Sequence, residues 1–185
     1  MACPDEELID PIRGQRLVFR RTAQETHGAL VEVEAFYQPT SVASPAHLHP
    51  HQEEYFEVLS GSMTIRVNDQ ENIYHAGQTF GIPAGTAHAM WNGSEAETHI
   101  RWQTWPALHT EAFFEIMWGL AQEGKTNKAG VPNLLQLAVI LENALEPLIE
   151  SSFESLVSPL MPCLQPLLID TMERIFKAAK RPFAV

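Results

Sequence analysis

The sequence predicts a mainly β protein, a barrel or sandwich of short strands, followed by an α-helical C-terminal extension. Between about residues 16 and 105, apolar residues recur at every second position and turn residues separate the runs. This is the period of half-buried strands. After Pro106 the apolar period lengthens to that of helices. Apolar residues make up 45% of the 185 residues, which is enough to build a core for such a fold.

Four strand patterns stand out in the first half of the chain. Their inward faces are predicted to carry Val31, Val33, Ala35 and Tyr37; Glu54, Phe56 and Val58; Met63, Ile65 and Val67; and Thr98, Ile100, Trp102 and Thr104. Gly61 and the pair Asn68-Asp69 interrupt these runs as turns. Many short strands with regular turns are typical of a barrel or a sandwich.

The second half of the chain is predicted to be helical. A first helix covers Thr110 to Glu123 with Gly124 as its C-cap, and a second covers residues 134 to about 156. Prolines at 159, 162 and 166 end it, and a last helix runs to Arg181. We therefore divide the chain into a barrel domain with an N-terminal arm, residues 1–109, and a helical extension, residues 110–185. The apolar surface of the extension requires burial on the barrel or in a homodimer, with a lipid surface as the weaker alternative.

Composition excludes several classes of protein. Twelve basic and 23 acidic residues give a formal net charge of −11, which argues against nucleic-acid binding. The two cysteines are far apart and form no metal motif, so we expect a reducing, cytoplasmic setting. The sequence begins without a signal-peptide pattern, and no uncharged apolar stretch reaches about 18 residues. Membrane association is therefore not expected.

One group of residues in the first half of the chain has the side chains of a metal-binding site. In His47-Leu48-His49, alternate residues of an extended segment point the same way, so both imidazoles can face one centre. Glu54 follows on the next strand, and His88 comes 34 residues later. Three imidazoles and one carboxylate are good ligands for a borderline divalent metal. Positions left open on such an ion would bind water, substrate or O₂.

The spacing of these residues resembles the cupin superfamily, here a small single-barrel cupin. The first cupin motif, G(x)5HxH(x)4E(x)6G, is matched by His47, His49, Glu54 and Gly61, with Ser41 in place of its first glycine. The second, G(x)5PxG(x)2H(x)3N, is matched by Gly77, Pro83, Gly85, His88 and Asn92. The resemblance covers roughly residues 16 to 105. It implies a double-stranded β-helix, or jelly-roll, barrel that holds one divalent ion, which would be Fe, Mn, Ni or Zn.

Residues around the ion are predicted from strand alternation. The substrate pocket is assigned to Tyr37, Phe56, Met90 and Trp102, although such residues are more often simply barrel core. His51 is a second-shell partner, an alternative ligand or a proton shuttle, or else an exposed loop residue. Arg101 alternates away from the pocket, so we expect few cationic anchors there and a weakly charged, aromatic or phenolic substrate.

Two functions remain open at this point. The favoured one is a metal-dependent enzyme acting on a small oxygen-bearing organic molecule, with dioxygenase-like oxidoreductase chemistry preferred over decarboxylase or isomerase chemistry. The ligand set is complete and the inferred wall is apolar, but ligands alone do not separate these classes. The alternative is a non-catalytic metal-containing module that binds or senses a small molecule. No residue is assigned a catalytic role beyond the metal ligands.

Overall fold

The computed structural model of the chain describes residues 2–39, 41–134 and 136–137. Within these residues the chain forms nine strands and helix α1. Their bounds are β1 (Glu7–Asp10), β2 (Gln15–Arg21), β3 (Val31–Tyr37), β4 (Glu53–Ser60), β5 (Ser62–Val67), β6 (Gln70–His75), β7 (Thr79–Ile82), β8 (His88–Trp91), β9 (Thr98–Trp105) and α1 (Thr110–Gln122).

The strands form two antiparallel sheets. The larger has six strands in the order β1-β2-β3-β9-β4-β7, and the smaller has three in the order β6-β5-β8. Neighbours in the larger sheet are often distant in sequence, since β9 lies between β3 and β4. The fold is a jelly-roll barrel followed by helix α1. This architecture confirms the predicted fold class.

The inner face of the larger sheet supplies most of the core. In β3 and β9 every second residue is buried, as the sequence predicts. Trp102 of β9 lies opposite Val33 of β3 on one side and Phe56 of β4 on the other. This register places Glu54, two residues before Phe56, on the same inner face, where it is buried with the apolar residues around it.

The tight turn between β4 and β5 requires a glycine. Gly61 has φ +76°, and a Cβ there would lie 2.7 Å from the Glu97 carbonyl and 2.8 Å from Thr98 Oγ1. A side chain at this position would therefore meet both backbone strain and a clash. Gly77 and Gly85, the other turn glycines of the motifs, also adopt positive φ.

The N-terminal arm contains a strand that the sequence does not reveal. β1 pairs with β2 in a hairpin, with Asp10 opposite Gln15. Its four residues, Glu-Leu-Ile-Asp, place two apolar residues side by side and show no alternation. A strand this short takes its structure from its neighbour, so its own sequence is a weak guide.

Helix α1 packs on the barrel core. Its observed bounds agree with the predicted helix to one residue, and Gly124, with φ +68°, follows the C-cap Glu123. Its buried residues are Phe114, Met117, Trp118 and Ala121. The Phe114 ring lies 6.4 Å from that of Phe19 and 5.0 Å from that of Trp102. The residue chosen as domain boundary, 109/110, stays a prediction.

The described part of the chain forms one compact unit, which lies within Met1–Leu148. The predicted second helix, beyond residue 137, the proline breaks and the last helix lie outside the described residues. No helix in the described ranges has the length and apolarity needed to cross a membrane.

Candidate metal centre

The two motif segments meet where the loop before β4 runs alongside β8. The His47 N–H donates to the His88 carbonyl at 3.0 Å, and the His88 N–H donates to the His47 carbonyl at 2.8 Å. A third backbone bond joins the Gly85 N–H to the His49 carbonyl at 2.9 Å. These bonds bring together histidines that are about 40 residues apart in sequence, and they do so without relying on a ligand.

Three imidazoles converge at this junction. The ring centroid of His47 lies 5.1 Å from that of His49 and 4.3 Å from that of His88, and the His49 and His88 centroids are 5.7 Å apart. Each ring offers one nitrogen to a common centre, and these atoms all lie within 4.8 Å of one another. The cluster is therefore compact enough for one ion.

Backbone carbonyls orient two of the rings. His47 Nδ1 lies 2.8 Å from the Pro45 carbonyl oxygen, and His88 Nδ1 lies 3.0 Å from that of Thr86. A carbonyl only accepts hydrogen bonds, so each Nδ1 carries the proton in the neutral ring. Nε2 then keeps its lone pair, which is the form of imidazole that ligates a metal.

Glu54 completes the cluster from the larger sheet. Its Oε2 lies 3.0 Å from His88 Nε2, and its Oε1 lies 3.5 Å from His49 Nε2. The Trp102 Nε1–H donates to Oε1 at 3.0 Å, in a buried contact. One carboxylate oxygen is therefore held by a neutral donor, and the other faces the imidazoles.

The donor atoms fit a divalent ion. His49 Nε2 and Glu54 Oε2 are buried and have no hydrogen-bond partner among the described residues. Glu54 Oε2 lies 3.0 Å from His88 Nε2, and the repulsion between these two acceptors is relieved either by a proton on His88, whose pKa is raised, or by a divalent ion. Neighbouring ligand atoms on an octahedral ion with bonds of about 2.1 Å are about 3 Å apart. One donor pair, His88 Nε2 and Glu54 Oε2, has this separation, and the three imidazole nitrogens lie within 4.8 Å of one another.

The charges of the cluster are interdependent. Burial alone would raise the pKa of Glu54, but the imidazoles of His49, His88 and His47 outweigh it, and the pKa lies below its ordinary value. Burial would lower the pKa of His88, but contact with Glu54 raises it. Burial, with the neighbouring imidazoles, lowers the pKa of His47 to about 4. Burial also lowers the pKa of His49. Near neutral pH the site therefore holds an ionised carboxylate and two neutral imidazoles ready to ligate.

The four predicted pocket residues are all buried, with relative exposures of 2% for Tyr37, 0% for Phe56, 4% for Met90 and 9% for Trp102. Trp102 touches the cluster directly through Glu54. Phe56 stacks on Phe80, with ring centroids 4.8 Å apart, and so packs as core. Burial raises the pKa of Tyr37, with the Arg13 charge opposing the rise and the Glu54 charge adding to it. Pocket roles for these residues stay predictions.

The remaining sequence predictions concern polar residues near the site. His51 is exposed in the turn before β4 and is not one of the three clustered imidazoles. Its role as a second-shell partner or proton shuttle stays a prediction. Arg101 pairs with Glu57 at 2.6 Å, and Arg66 pairs with Glu71 at 2.6 Å. Both arginines are therefore engaged with carboxylates outside the histidine cluster.

Two structural features were not predicted from the sequence. One is the hydrogen bond of Trp102 to Glu54, because alternation places both residues inward without showing that they meet. The other is Arg13, which lies in the turn between β1 and β2 and is only 8% exposed. Its one signal in the sequence is Asp10, three residues earlier, since an Asp at that distance can cap the turn and pair with the guanidinium.

Part of the chain matches a known protein family. Residues 33–103 match the family model Cupin_2, described as Cupin domain. A protein named oxidoreductase from Arthrobotrys oligospora is 28% identical over 144 residues, which are 72% of this chain and 54% of that protein. The chain thus spans about half the length of that curated relative.

Solved structures with a similar course of chain have low sequence identity. The structure of a predicted oxalate decarboxylase from Thermotoga maritima has a TM-score of 0.49 and 17% identity, covering 56% of this chain and 92% of that one. That of an RmlC-like cupin from Shewanella frigidimarina has a TM-score of 0.46 and 15% identity, covering 56% and 85%. The family match spans all four residues of the candidate centre, His47, His49, Glu54 and His88. Residues 33–103 of the chain are thus similar to a cupin domain.

Proposed function

We propose that the protein is a metal-dependent enzyme that acts on a small oxygen-bearing organic molecule, with dioxygenase-like oxidoreductase chemistry. His47, His49, Glu54 and His88 would hold one divalent ion, which would be Fe, Mn, Ni or Zn. The observation that carries this proposal is the convergence of three imidazole nitrogens, which lie within 4.8 Å of one another beside the buried Glu54 carboxylate. His49 Nε2 is buried with no hydrogen-bond partner among the described residues, which is costly unless a bound ion pairs with it.

A bound divalent ion would supply Lewis acidity or O₂ activation to an oxygen-bearing substrate. The protein's own residues orient the ligand atoms. Carbonyls of Pro45 and Thr86 hold two imidazoles in the ligating tautomer, and Trp102 holds Glu54 Oε1. His88 and Glu54 are buried, whereas His47 and His49 are half-buried, so small molecules reach the cluster from the His47–His49 side.

The type of reaction is supported by weaker observations. The one curated relative described above is named an oxidoreductase. Aromatic residues lie next to the ligands, because Trp102 contacts Glu54 and its ring lies 5.5 Å from that of Phe56. An apolar surround keeps bulk water from competing for open positions on the ion. These features favour dioxygenase-like chemistry over decarboxylation or isomerisation.

Turnover is the test of this function. Protein loaded with Fe(II) or Mn(II) is incubated with phenolics, β-diketones and carboxylic acids while O₂ uptake and CO₂ release are followed. The proposal expects O₂ uptake with one of these classes, absent in His88→Ala and kept in His75→Ala, an exposed histidine of the same sheet. CO₂ release without O₂ uptake would replace the dioxygenase by a decarboxylase. Tight binding without turnover would instead favour the non-catalytic sensing module.

The oligomeric state is a separate proposal. The sparse charge of the C-terminal extension leaves apolar surface to cover, and a homodimer would bury it. Light scattering of the full chain at micromolar concentration checks this. A mass of 20.7 kDa, that of one chain, would contradict it.

A further inference from the structure

Gln52 is a buried polar residue in the segment between two candidate metal ligands. It follows His49 by three residues and precedes Glu54 by two, and its relative exposure is 4%. Its neighbours His51 and Glu53 are exposed. A buried amide group is costly unless its hydrogen-bonding atoms are paired. The contacts of the Gln52 side chain therefore show what this position does.

The Gln52 amide bonds to the part of the chain that leads from β9 into helix α1. Its Nε2 donates to the Pro106 carbonyl and to Thr110 Oγ1, both at 2.8 Å, and to the Ala107 carbonyl at 3.2 Å. An amide nitrogen carries two hydrogens, so the three acceptors share them. One side chain thus attaches the entry of β4 to the first residue of α1.

This attachment fixes one end of the short turn that follows His49. Backbone carbonyls orient the rings of His47 and His88. His49 is held through its main chain, whose carbonyl oxygen accepts from the Gly85 N–H at 2.9 Å. The turn is therefore fixed at its start by Gly85 and at its end by Gln52. The place of the His49 imidazole depends on both attachments.

Glu54 is connected to the same helix by a second route. The Trp102 Nε1–H donates to Glu54 Oε1 at 3.0 Å, and the centroid of the Trp102 ring lies 5.0 Å from that of Phe114. Thr110, the partner of Gln52, and Phe114 are four residues apart in α1, so they lie on one face of the helix. One face of α1 therefore contacts both groups that place Glu54, the side chain of Trp102 and that of Gln52.

We propose that Gln52 is a positioning residue of the metal centre, which places His49 and Glu54 by binding their segment to the start of α1. This role rests on the metal site of the function proposed above, and Gln52 itself makes no contact with the ion. Because coupling between two sites is reciprocal, a bound ion would in turn stabilise the first turn of α1. Helix α1 thereby supports the centre in addition to covering the core.

Gln52→Met tests this role, because it keeps an unbranched buried side chain and removes the amide. Co(II) is the probe ion, and its affinity for the folded full chain is measured by competition with a chelator. We expect the affinity to fall about tenfold, the lower end of what the loss of a partner outside the ligand set causes. At saturating Co(II) the visible absorption bands should also shift, because they depend on the number and geometry of the ligands.

The matched control is Gln103→Met. Gln103 lies on the face of β9 opposite to Trp102, and its Nε2 donates to Glu32 at 2.5 Å, so this variant loses one amide hydrogen bond of the same sheet away from the centre. It should bind Co(II) with the affinity and the spectrum of the unmodified chain. If Gln52 is merely structural, Gln52→Met lowers the Tm of the metal-free chain and leaves both Co(II) readouts unchanged, and that outcome would overturn the proposal.

Thr110→Val is the second variant, because loss of the buried Gln52 amide can prevent folding. It keeps the shape of the side chain but removes one of the three acceptors, and Co(II) affinity should fall about threefold. The double variant should bind no more weakly than Gln52→Met, since both changes act through one group of hydrogen bonds. Effects that multiply would show independent action and overturn the proposal. If Gln52→Met does not fold, an unchanged affinity in Thr110→Val overturns it alone.

The unmodified chain tests the proposed function in the same experiment. Absence of Co(II) uptake by that chain overturns the metal site and with it the proposed function. Co(II) uptake that Gln52→Met and Thr110→Val leave unchanged overturns the positioning role alone. The two failures are therefore distinguishable in one set of samples.

Discussion

In the larger sheet, β3 buries four of its seven residues in strict alternation, whereas in the smaller sheet β6 exposes five of its six residues. Yet both sheets supply the candidate metal centre. Glu54 comes from β4 of the larger sheet, His88 comes from β8 of the smaller, and His47 and His49 come from the segment before β4. The candidate metal centre thus lies between a sheet with many buried residues and a sheet with fewer buried residues.

The difference shows what each sheet contributes to stability. The larger sheet is held by its own apolar face, to which α1 adds Phe114. The smaller sheet shares fewer buried side chains, and part of its attachment is the pair of backbone bonds between His47 and His88. An ion bound to residues of both sheets would add a link at this junction. Changes at the site should therefore affect the smaller sheet more than the larger one.

The largest effect on metal binding is expected from replacing His88, the candidate metal ligand that lies in the smaller sheet. His88→Ala should lower metal affinity by more than about 100-fold, because losing a ligand exceeds the loss caused by an outer-shell change. The barrel should stay folded, since Leu17, Phe19 and Phe56 form its core without His88. Metal content by elemental analysis and far-UV circular dichroism measure the two effects.

The control for this change is His75→Ala. His75 is exposed at the end of β6 in the same sheet, so its removal should leave metal content unchanged. If His88→Ala unfolds completely, or if it keeps the metal, the division between ligand and core is wrong.

Acidification should have the second-largest effect. Protonation of His88 is expected to begin the release of the metal. Contact with Glu54 raises the pKa of His88, so a proton competes with the ion there at a higher pH than at an ordinary histidine. His47, with a pKa of about 4, stays neutral until much lower pH. Metal retention after dialysis should therefore fall steadily from pH 7 and be nearly lost at pH 4. Retention unchanged at pH 4 would exclude a site built on histidines.

Metal removal tests the link between the sheets. An ion present at 100 times its Kd stabilises the folded chain by about 2.7 kcal/mol, and EDTA should remove this. Hydrogen exchange should then become faster at the amides of His47 and β8, while β3 changes little. Equal loss of protection in β3 and β8 would show that the two sheets open together.

The sequence predicted correctly those features that depend on the spacing of residues within a single strand. Alternation placed Val33, Trp102 and Glu54 inward correctly, because a strand has a fixed period of two. This period does not apply to His51, because it lies in the turn before β4, where it is exposed. The contact of Arg13 with Trp118 joins residues from opposite ends of the described chain. Only the packing of α1 against the β1–β2 turn creates it, so no short-range signal could reveal it.

The smallest effect on metal binding is expected from a change at Trp102, a residue of the larger sheet. Trp102→Phe keeps an aromatic ring in the core but removes the N–H that donates to Glu54 Oε1. The carboxylate then loses its fixed orientation, and metal affinity should fall about tenfold, as is common for outer-shell partners of metal ligands. Competition with a fluorescent chelator measures this, and Trp105→Phe is the control, because Trp105 is 41% exposed. If both variants bind metal as the unmodified chain does, Glu54 is positioned by the strand alone, and the hydrogen bond from Trp102 serves only to satisfy a buried indole.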